Sequence, residues 1–381
     1  MIQGSVAPGF EAVEAAFRIN FAPEHDTPEV GGGFAVLRGD EVLVDLWGGH
    51  ADGARTRPWA RDTLVNVYSS TKGVAAACTT LLESRGLIDY AAPVARYWPA
   101  FAQAGKGDIT VEMLLSHQAG LSGLTAPLTM EDLYDWEKMI GLLERAEPLW
   151  PPGSVAGYHA LTWGFLAGEL VRRTDGRSIG RFLREELCAP LGADVFIGVP
   201  ESEDGRVAEM LAPLGEPTQS LAEMSDILKL TLTNPYVEAT IPNQRAFRAA
   251  ELPALNGAAT AMGLACIYAP LANDGAFGAR RIYAPGAVER GAQRRFRGVD
   301  INLGVEVRWG AGFYGNNPLK WYGPNDETFG HSGWGGSMGF ADPVEGISVG
   351  YVLNQMDANL HGDPRGLRLV AAVYESLAAG R

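Results

Sequence analysis

Ser69-Ser70-Thr71-Lys72 sets a hydroxyl three residues ahead of an amine, at the start of a stretch whose pattern predicts a helix from Ser69 to about Ser84, stopped by Gly86. Residues three apart on a helix share a face, with Cβ atoms about 5–6 Å apart, so the two groups can meet. An uncharged amine there can take the hydroxyl proton and leave the oxygen as a nucleophile. The helix N-terminus adds unsatisfied N–H groups and the positive end of a dipole, both of which favour a developing alkoxide. A free lysine titrates near 10.4, and lowering it by about three units costs the fold roughly 4 kcal/mol. Serine and lysine are common, however. The plain alternative makes Ser69 or Ser70 a helix cap and Lys72 a solvated side chain.

The remaining reactive residues narrow the choice. His25, His50, His117, His159, His331 and His361 are scattered without a paired spacing, and Cys78, Cys188 and Cys266 form no CxxC, so no metal site is expected. The cysteines read as reduced core residues. Gly335-Gly336-Ser337-Met338-Gly339 matches G-x-S-x-G, and Asp357 and His361 could mimic the other members of a triad. That motif needs a strand before it and a helix after it. Here the chain runs on into Phe340 and a strand-like run, Ile347 to Leu353, so Ser337 reads as structural.

The elements that must position these groups are legible at both ends of the chain. Gly9 to Asn20 has helical spacing. Gly33 to Trp47 reads as a hairpin turning at Gly39-Asp40. From Ser69 to about Ala272 the strong patterns are helical, the clearest running from Leu161 to Arg173 and ending near Gly176. Strand-like runs return in the last hundred residues, followed by an amphipathic helix, Leu367 to Leu377. This order predicts an α/β part plus an all-α part: an antiparallel sheet flanked by helices, built from residues 1–75 and 270–381. A mostly helical domain, 76–269, would be inserted into it, with the active site in the cleft between them. A chain of 381 residues suits one large or two joined domains.

Composition excludes some partners. The formal charge of −14 repels phosphate backbones and anionic lipid, so neither nucleic acid nor a membrane is expected. No apolar run of about 18 residues exists for a membrane span. The first residues lack the basic and apolar regions of a secretory leader, which points to the cytoplasm.

Three further motifs follow the S-x-x-K in order. Leu114-Leu115-Ser116-His117-Gln118-Ala119-Gly120-Leu121 is the first, and Tyr158-His159-Ala160, entering the clear helix after Pro152-Gly153, is the second. His331-Ser332-Gly333-Trp334-Gly335-Gly336 is the third. With that order and spacing, from about Gly33 to Leu353, the chain resembles the serine β-lactamase and penicillin-binding protein superfamily, in particular its class C branch and the related family VIII carboxylesterases. The resemblance implies a β-lactamase-like fold and a cofactor-free serine hydrolase. Ser69 would be the acylated serine and Lys72 its activating amine. Tyr158, in the place of the tyrosine of Y-x-N, would shuttle a proton to the leaving group. His331-Ser332-Gly333 would stand in the place of the K-T-G strand and line the substrate site with Trp334. The backbone N–H groups of Ser69 and Trp334 would form the oxyanion hole. Gln118 and His159 are further candidates for substrate contact, with a structural role for each as the alternative.

Two departures direct the substrate expectation. Ala160 replaces the asparagine of Y-x-N, and His331 replaces the lysine of K-T-G, a residue that helps hold the carboxylate of a β-lactam or peptide C-terminus. Uncharged esters lose nothing by either change, and Trp334 adds an apolar wall. The expectation is a small-molecule carboxylic ester with a short acyl chain. The alternatives are a β-lactamase or D,D-peptidase, or a non-catalytic penicillin-recognising protein.

Overall fold

The computed structural model describes residues 2–214, 224–358 and 362–380. Among them, nine strands form one large sheet: β1 (Ile2–Val6), β2 (Gly31–Arg38), β3 (Glu41–Gly49), β4 (Phe296–Val299), β5 (Glu306–Trp309), β6 (Tyr314–Gly315), β7 (Phe329–Ser332), β8 (Met338–Asp342) and β9 (Ile347–Leu353). Their order is β1-β3-β2-β9-β8-β7-β6-β5-β4, and every neighbouring pair is antiparallel. The two ends of the chain therefore meet at the β2–β9 pairing, where Val36 lies opposite Val349.

Alternation along the strands assigns the two faces. On β2, Phe34 and Val36 join one apolar core, together with Val13 and Phe17 of α1 (Glu11–Asn20) and Leu369 and Val373 of α5 (Pro364–Ala379). Ala35 and Leu37 point the other way. They join the core built by α2 (Ser70–Ser84), α3 (Thr162–Asp175) and α4 (Ala261–Ala272). A sheet buried on both faces explains why every residue of β9 is buried.

α2 carries Ser70 to Lys72 of the S-x-x-K sequence and is enclosed over most of its length. Every residue from Ser70 to Leu82 is buried. Its small residues permit this. A side chain at Gly73 would collide with the Tyr268 hydroxyl and press on His331 Cβ, so the absence of one lets α4 and β7 close on the helix beside Lys72. α3 ends at Gly176, which adopts the left-handed conformation with φ +88°. Asp363 caps α5 by accepting from the Arg365 N–H.

Candidate active site

Ser69 precedes α2 with helical dihedrals, and its hydroxyl makes no capping bond. That oxygen is instead bracketed by two side chains. Tyr158 Oη donates to Ser69 Oγ at 2.7 Å, and Lys72 Nζ lies 3.2 Å from the same atom. The amine also donates to the carbonyls of Ala160 (2.8 Å) and Ala254 (3.0 Å). Burial holds Lys72 well below the ordinary lysine range. An uncharged amine has two hydrogens and one lone pair. The two carbonyls take the hydrogens, and the lone pair is left for the Ser69 hydroxyl proton. Burial also pushes the Tyr158 phenol up, so at neutral pH it keeps its proton and acts as the donor to Oγ. The result is an oriented chain from phenol to serine to amine.

The residue before the serine is held under strain. Tyr68 has φ +43°, a conformation uncommon for a bulky side chain. Its phenol is anchored on the Ala239 carbonyl at 2.5 Å, and its ring lies against Trp334, with centroids 5.3 Å apart. The backbone N–H groups of Ser69 and Trp334 meet no acceptor among the described residues. Two such donors can receive a developing oxyanion.

Tyr158 is fixed from three sides. Its N–H donates to Asp300 Oδ1 at 2.9 Å, its carbonyl accepts from Asn302 Nδ2 at 3.0 Å, and its ring stacks on Trp309 at an interplanar angle of 12°. Asp300 holds all of this together. Oδ1 also accepts the N–H groups of Asn302 and Leu303, and Oδ2 accepts from Trp309 Nε1. Burial raises the Asp300 carboxyl even so. The sequence Asp300-Ile-Asn302-Leu-Gly304 carries the signature of a turn. Nothing local to it announced that the turn supports Tyr158. Asp300→Asn would set its amide N–H₂ against either the Trp309 indole N–H or the three backbone N–H groups, donor facing donor. The variant is expected to lose about 1–3 kcal/mol of stability in urea denaturation, the cost of one unsatisfied buried group.

The structure corrects one expected substrate contact. His159 has no exposed surface. Its Nε2 accepts from the Leu121 N–H at 2.9 Å, and its Nδ1 donates to the Gly157 carbonyl at 2.6 Å. A ring with both nitrogens engaged has nothing to offer a substrate, and burial holds it neutral, its pKa near 3. His117, at φ +64°, accepts the His159 N–H on Nδ1 and, through its carbonyl, the Gly157 N–H. The two histidines therefore lock the Leu114–Leu121 segment onto the backbone that flanks Tyr158. Burial keeps His117 uncharged as well, so neither ring sets a cation beside Lys72. Gln118, 8% exposed, donates to Ser116 Oγ at 2.7 Å and accepts the Gly153 N–H on its carbonyl, which ties it to the loop and not to the Ser69 group.

His331 lies on β7 next to Tyr158, with ring centroids 6.2 Å apart. It is 4% exposed, and its Nδ1 is 2.8 Å from the Ser332 carbonyl oxygen. Ser332 Oγ bonds the Tyr322 hydroxyl at 2.9 Å, and the Gly333 N–H donates to the Ser337 carbonyl. Ser337 itself is buried. Its hydroxyl donates to the Val67 carbonyl at 2.8 Å and meets Ser70 Oγ at 3.1 Å, fastening the turn between two antiparallel strands to the segment before α2. No helix follows it, as the elbow geometry would require. Asp357 accepts from Thr27 Oγ1, and His361 lies outside the described residues. Cys78, Cys188 and Cys266 are free and buried. Among the described residues no three His, Cys, Asp or Glu side chains gather in a way that could hold a metal ion, and no helix is long and apolar enough to cross a membrane.

Known proteins share both the sequence and the architecture. The family model described as Beta-lactamase matches residues 21–372. The esterase/beta-lactamase LipL of Mycobacterium tuberculosis is 37% identical over 365 residues, spanning 93% of this chain and 83% of that protein. The crystal structure of a family VIII carboxylesterase superposes with a TM-score of 0.93 at 46% identity, covering 99% of this chain and all of the other. A penicillin-binding protein homologue from Caulobacter crescentus gives the same TM-score at 43% identity and the same coverage. With a model match across nearly its whole length and relatives this similar in both sequence and fold, the chain belongs to the beta-lactamase family.

Proposed function

We propose that this protein hydrolyses carboxylic esters through an acyl-enzyme on Ser69. One observation carries the reading: a serine oxygen within hydrogen-bond reach of both a buried amine held below its usual pKa and a protonated phenol. Lys72 Nζ takes the hydroxyl proton as Oγ bonds the ester carbonyl carbon. The oxyanion so formed sits between the N–H groups of Ser69 and Trp334. The C–O bond to the alcohol then breaks, Tyr158 Oη gives its proton to the departing oxygen, and the Lys72 ammonium restores the phenol. Water repeats the sequence on the acyl-enzyme and releases the acid. The similar family VIII carboxylesterase and the relative named esterase/beta-lactamase support this class of reaction.

The choice of ester over lactam rests on His331 and Ala160. A compact imidazole, buried against Tyr158, stands where an anion-binding lysine would be, and a methyl group stands in place of an amide. Ser332, Gly333 and Trp334 would line the substrate site, with the Trp334 ring as its apolar wall. Short acyl chains are part of this reading. The reading also divides the chain into a sheet part, 1–75 and 270–381, and a helical part, 76–269, with the substrate between them.

Comparison of p-nitrophenyl butyrate with a chromogenic cephalosporin tests the proposal. The expected ratio of kcat/KM is at least about 100 in favour of the ester, corresponding to about 2.7 kcal/mol of discrimination. A far larger constant for the cephalosporin refutes it. Release of one equivalent of nitrophenol followed by arrest would instead identify a protein that is acylated without turnover.

A further inference from the structure

Behind the Gly333–Gly336 turn lies a buried charge cluster that the reaction itself does not use. Arg365, 3% exposed on the first turn of α5, extends its guanidinium toward the backbone of that turn. Its Nη2 donates to the Gly335 carbonyl at 3.2 Å and to Asp363 Oδ2 at 2.5 Å. Its Nη1 donates to the Gln355 carbonyl at 2.9 Å, and its Nε lies 3.0 Å from Asp363 Oδ1. Glu29, buried in the segment before β2, sits 3.5 Å from Nη1 and accepts from the Tyr351 hydroxyl. Burial pushes Glu29 up to about 7 despite this cation, so Asp363 is the main counter-charge of the guanidinium.

The turn is built to be gripped from this side. Gly335 and Gly336 have φ of +94° and +118°, and a side chain at Gly336 would collide with Asp363 Oδ2. The Gly335 carbonyl receives a second bond from the Asp357 N–H at 3.1 Å, and the Gly336 N–H donates back to the Gly333 carbonyl. Trp334 lies inside this short, doubly held loop. Its N–H belongs to the Gly333–Trp334 peptide, whose carbonyl accepts from the Gly336 N–H, and that N–H shares a plane with the Gly335 carbonyl that Arg365 grips, so the two planes are tied together.

We propose that Arg365 is a positioning residue: through the Gly335 carbonyl it fixes the Trp334 N–H as an oxyanion donor, with Asp363 and Glu29 holding the guanidinium in place. The inference rests on the proposed acyl-enzyme reaction. A lysine cannot replace this arginine, because a single nitrogen cannot serve Gly335, Gln355 and the two carboxylates in one plane.

The test is Arg365→Lys, assayed per active site titrated with a fluorophosphonate, on a p-nitrophenyl ester and on its thionoester analogue. Thiocarbonyl sulfur is a weaker and larger acceptor, so the oxo-to-thiono rate ratio reads the donors directly. Losing one oxyanion donor costs about 10²–10³-fold in kcat, and a misaimed one is expected to cost about 10–100-fold with KM within about twofold. The oxo-to-thiono ratio should shrink in parallel. A purely structural role lowers the number of titrated sites and leaves kcat per site and the ratio as they were; that result overturns the proposal. So does a fall in kcat with an unchanged ratio. Should Arg365→Lys fail to fold, Asp363→Asn removes the main counter-charge at constant shape and decides by the same two readouts, with a smaller loss expected; kcat per site within twofold of wild type overturns the proposal. Ser69→Ala run alongside separates the two levels. Activity surviving in Ser69→Ala sinks the acyl-enzyme reading, whereas a dead Ser69→Ala beside an unaffected Arg365→Lys sinks only the role of Arg365.

Discussion

Hydrolysis of a p-nitrophenyl short-chain ester by Ser69→Ala is expected to fall to the solvent background, a loss of about 10⁴-fold or more in kcat, because the acyl group has nowhere to go. Tyr158 Oη and Lys72 Nζ would still flank the vacated position, so folding should be unaffected, and the variant should melt close to wild type. Ser337→Ala is the control that gives this result its meaning. It removes the other serine with a motif-like setting, whose hydroxyl is 2.8 Å from the Val67 carbonyl and is sealed from substrate. Most activity should remain, with about 1 kcal/mol of stability lost for the missing hydrogen bond. The reverse pattern, a dead Ser337→Ala and an active Ser69→Ala, would overturn the site.

Lys72→Met should remove activity and a pH dependence together. Without the base, kcat is expected to drop by about 10²–10⁴-fold. In the wild type the working form is the uncharged amine, so kcat/KM should decline on the acid side as Lys72 takes up its proton. The variant should lack that limb. Stability has its own signature. The folded pKa of Lys72 lies well below the unfolded value. Between the two values the unfolded chain binds a proton that the folded chain does not, and stability therefore rises with pH. The unfolding free energy of wild type minus that of Lys72→Met should climb as pH is raised toward about 10, by at most about 1.4 kcal/mol per unit. Urea titrations at several pH values measure it. A flat difference would show that Lys72 carries its charge in the folded protein.

Much of the scaffold was legible because its causes are local. The hairpin of β2 and β3 announces itself through apolar runs around Gly39-Asp40, and α3 through its spacing and the glycine that ends it. β1 was not legible. Ile-Gln-Gly-Ser-Val has little strand preference of its own, and it is a strand because β3 offers it an edge. The role of His159 stayed open between substrate contact and structure for a related reason. Its neighbours in sequence say nothing of the Leu121 N–H, 38 residues away, that takes its ring out of reach of any substrate.

By itself the sequence determined that a hydroxyl and an amine share one face at the start of a helix, since helical geometry fixes the distance between positions 69 and 72. It also determined, by resemblance, the family to which those residues belong. Only the tertiary structure decided that the amine is buried, which lowers its pKa, that a phenol 89 residues away reaches the same oxygen, and that Asp300 and Arg365 bond the backbone of Tyr158 and Gly335. The physical reason is that desolvation and long-range hydrogen bonds belong to what packs around a residue, and no stretch of chain carries that information alone.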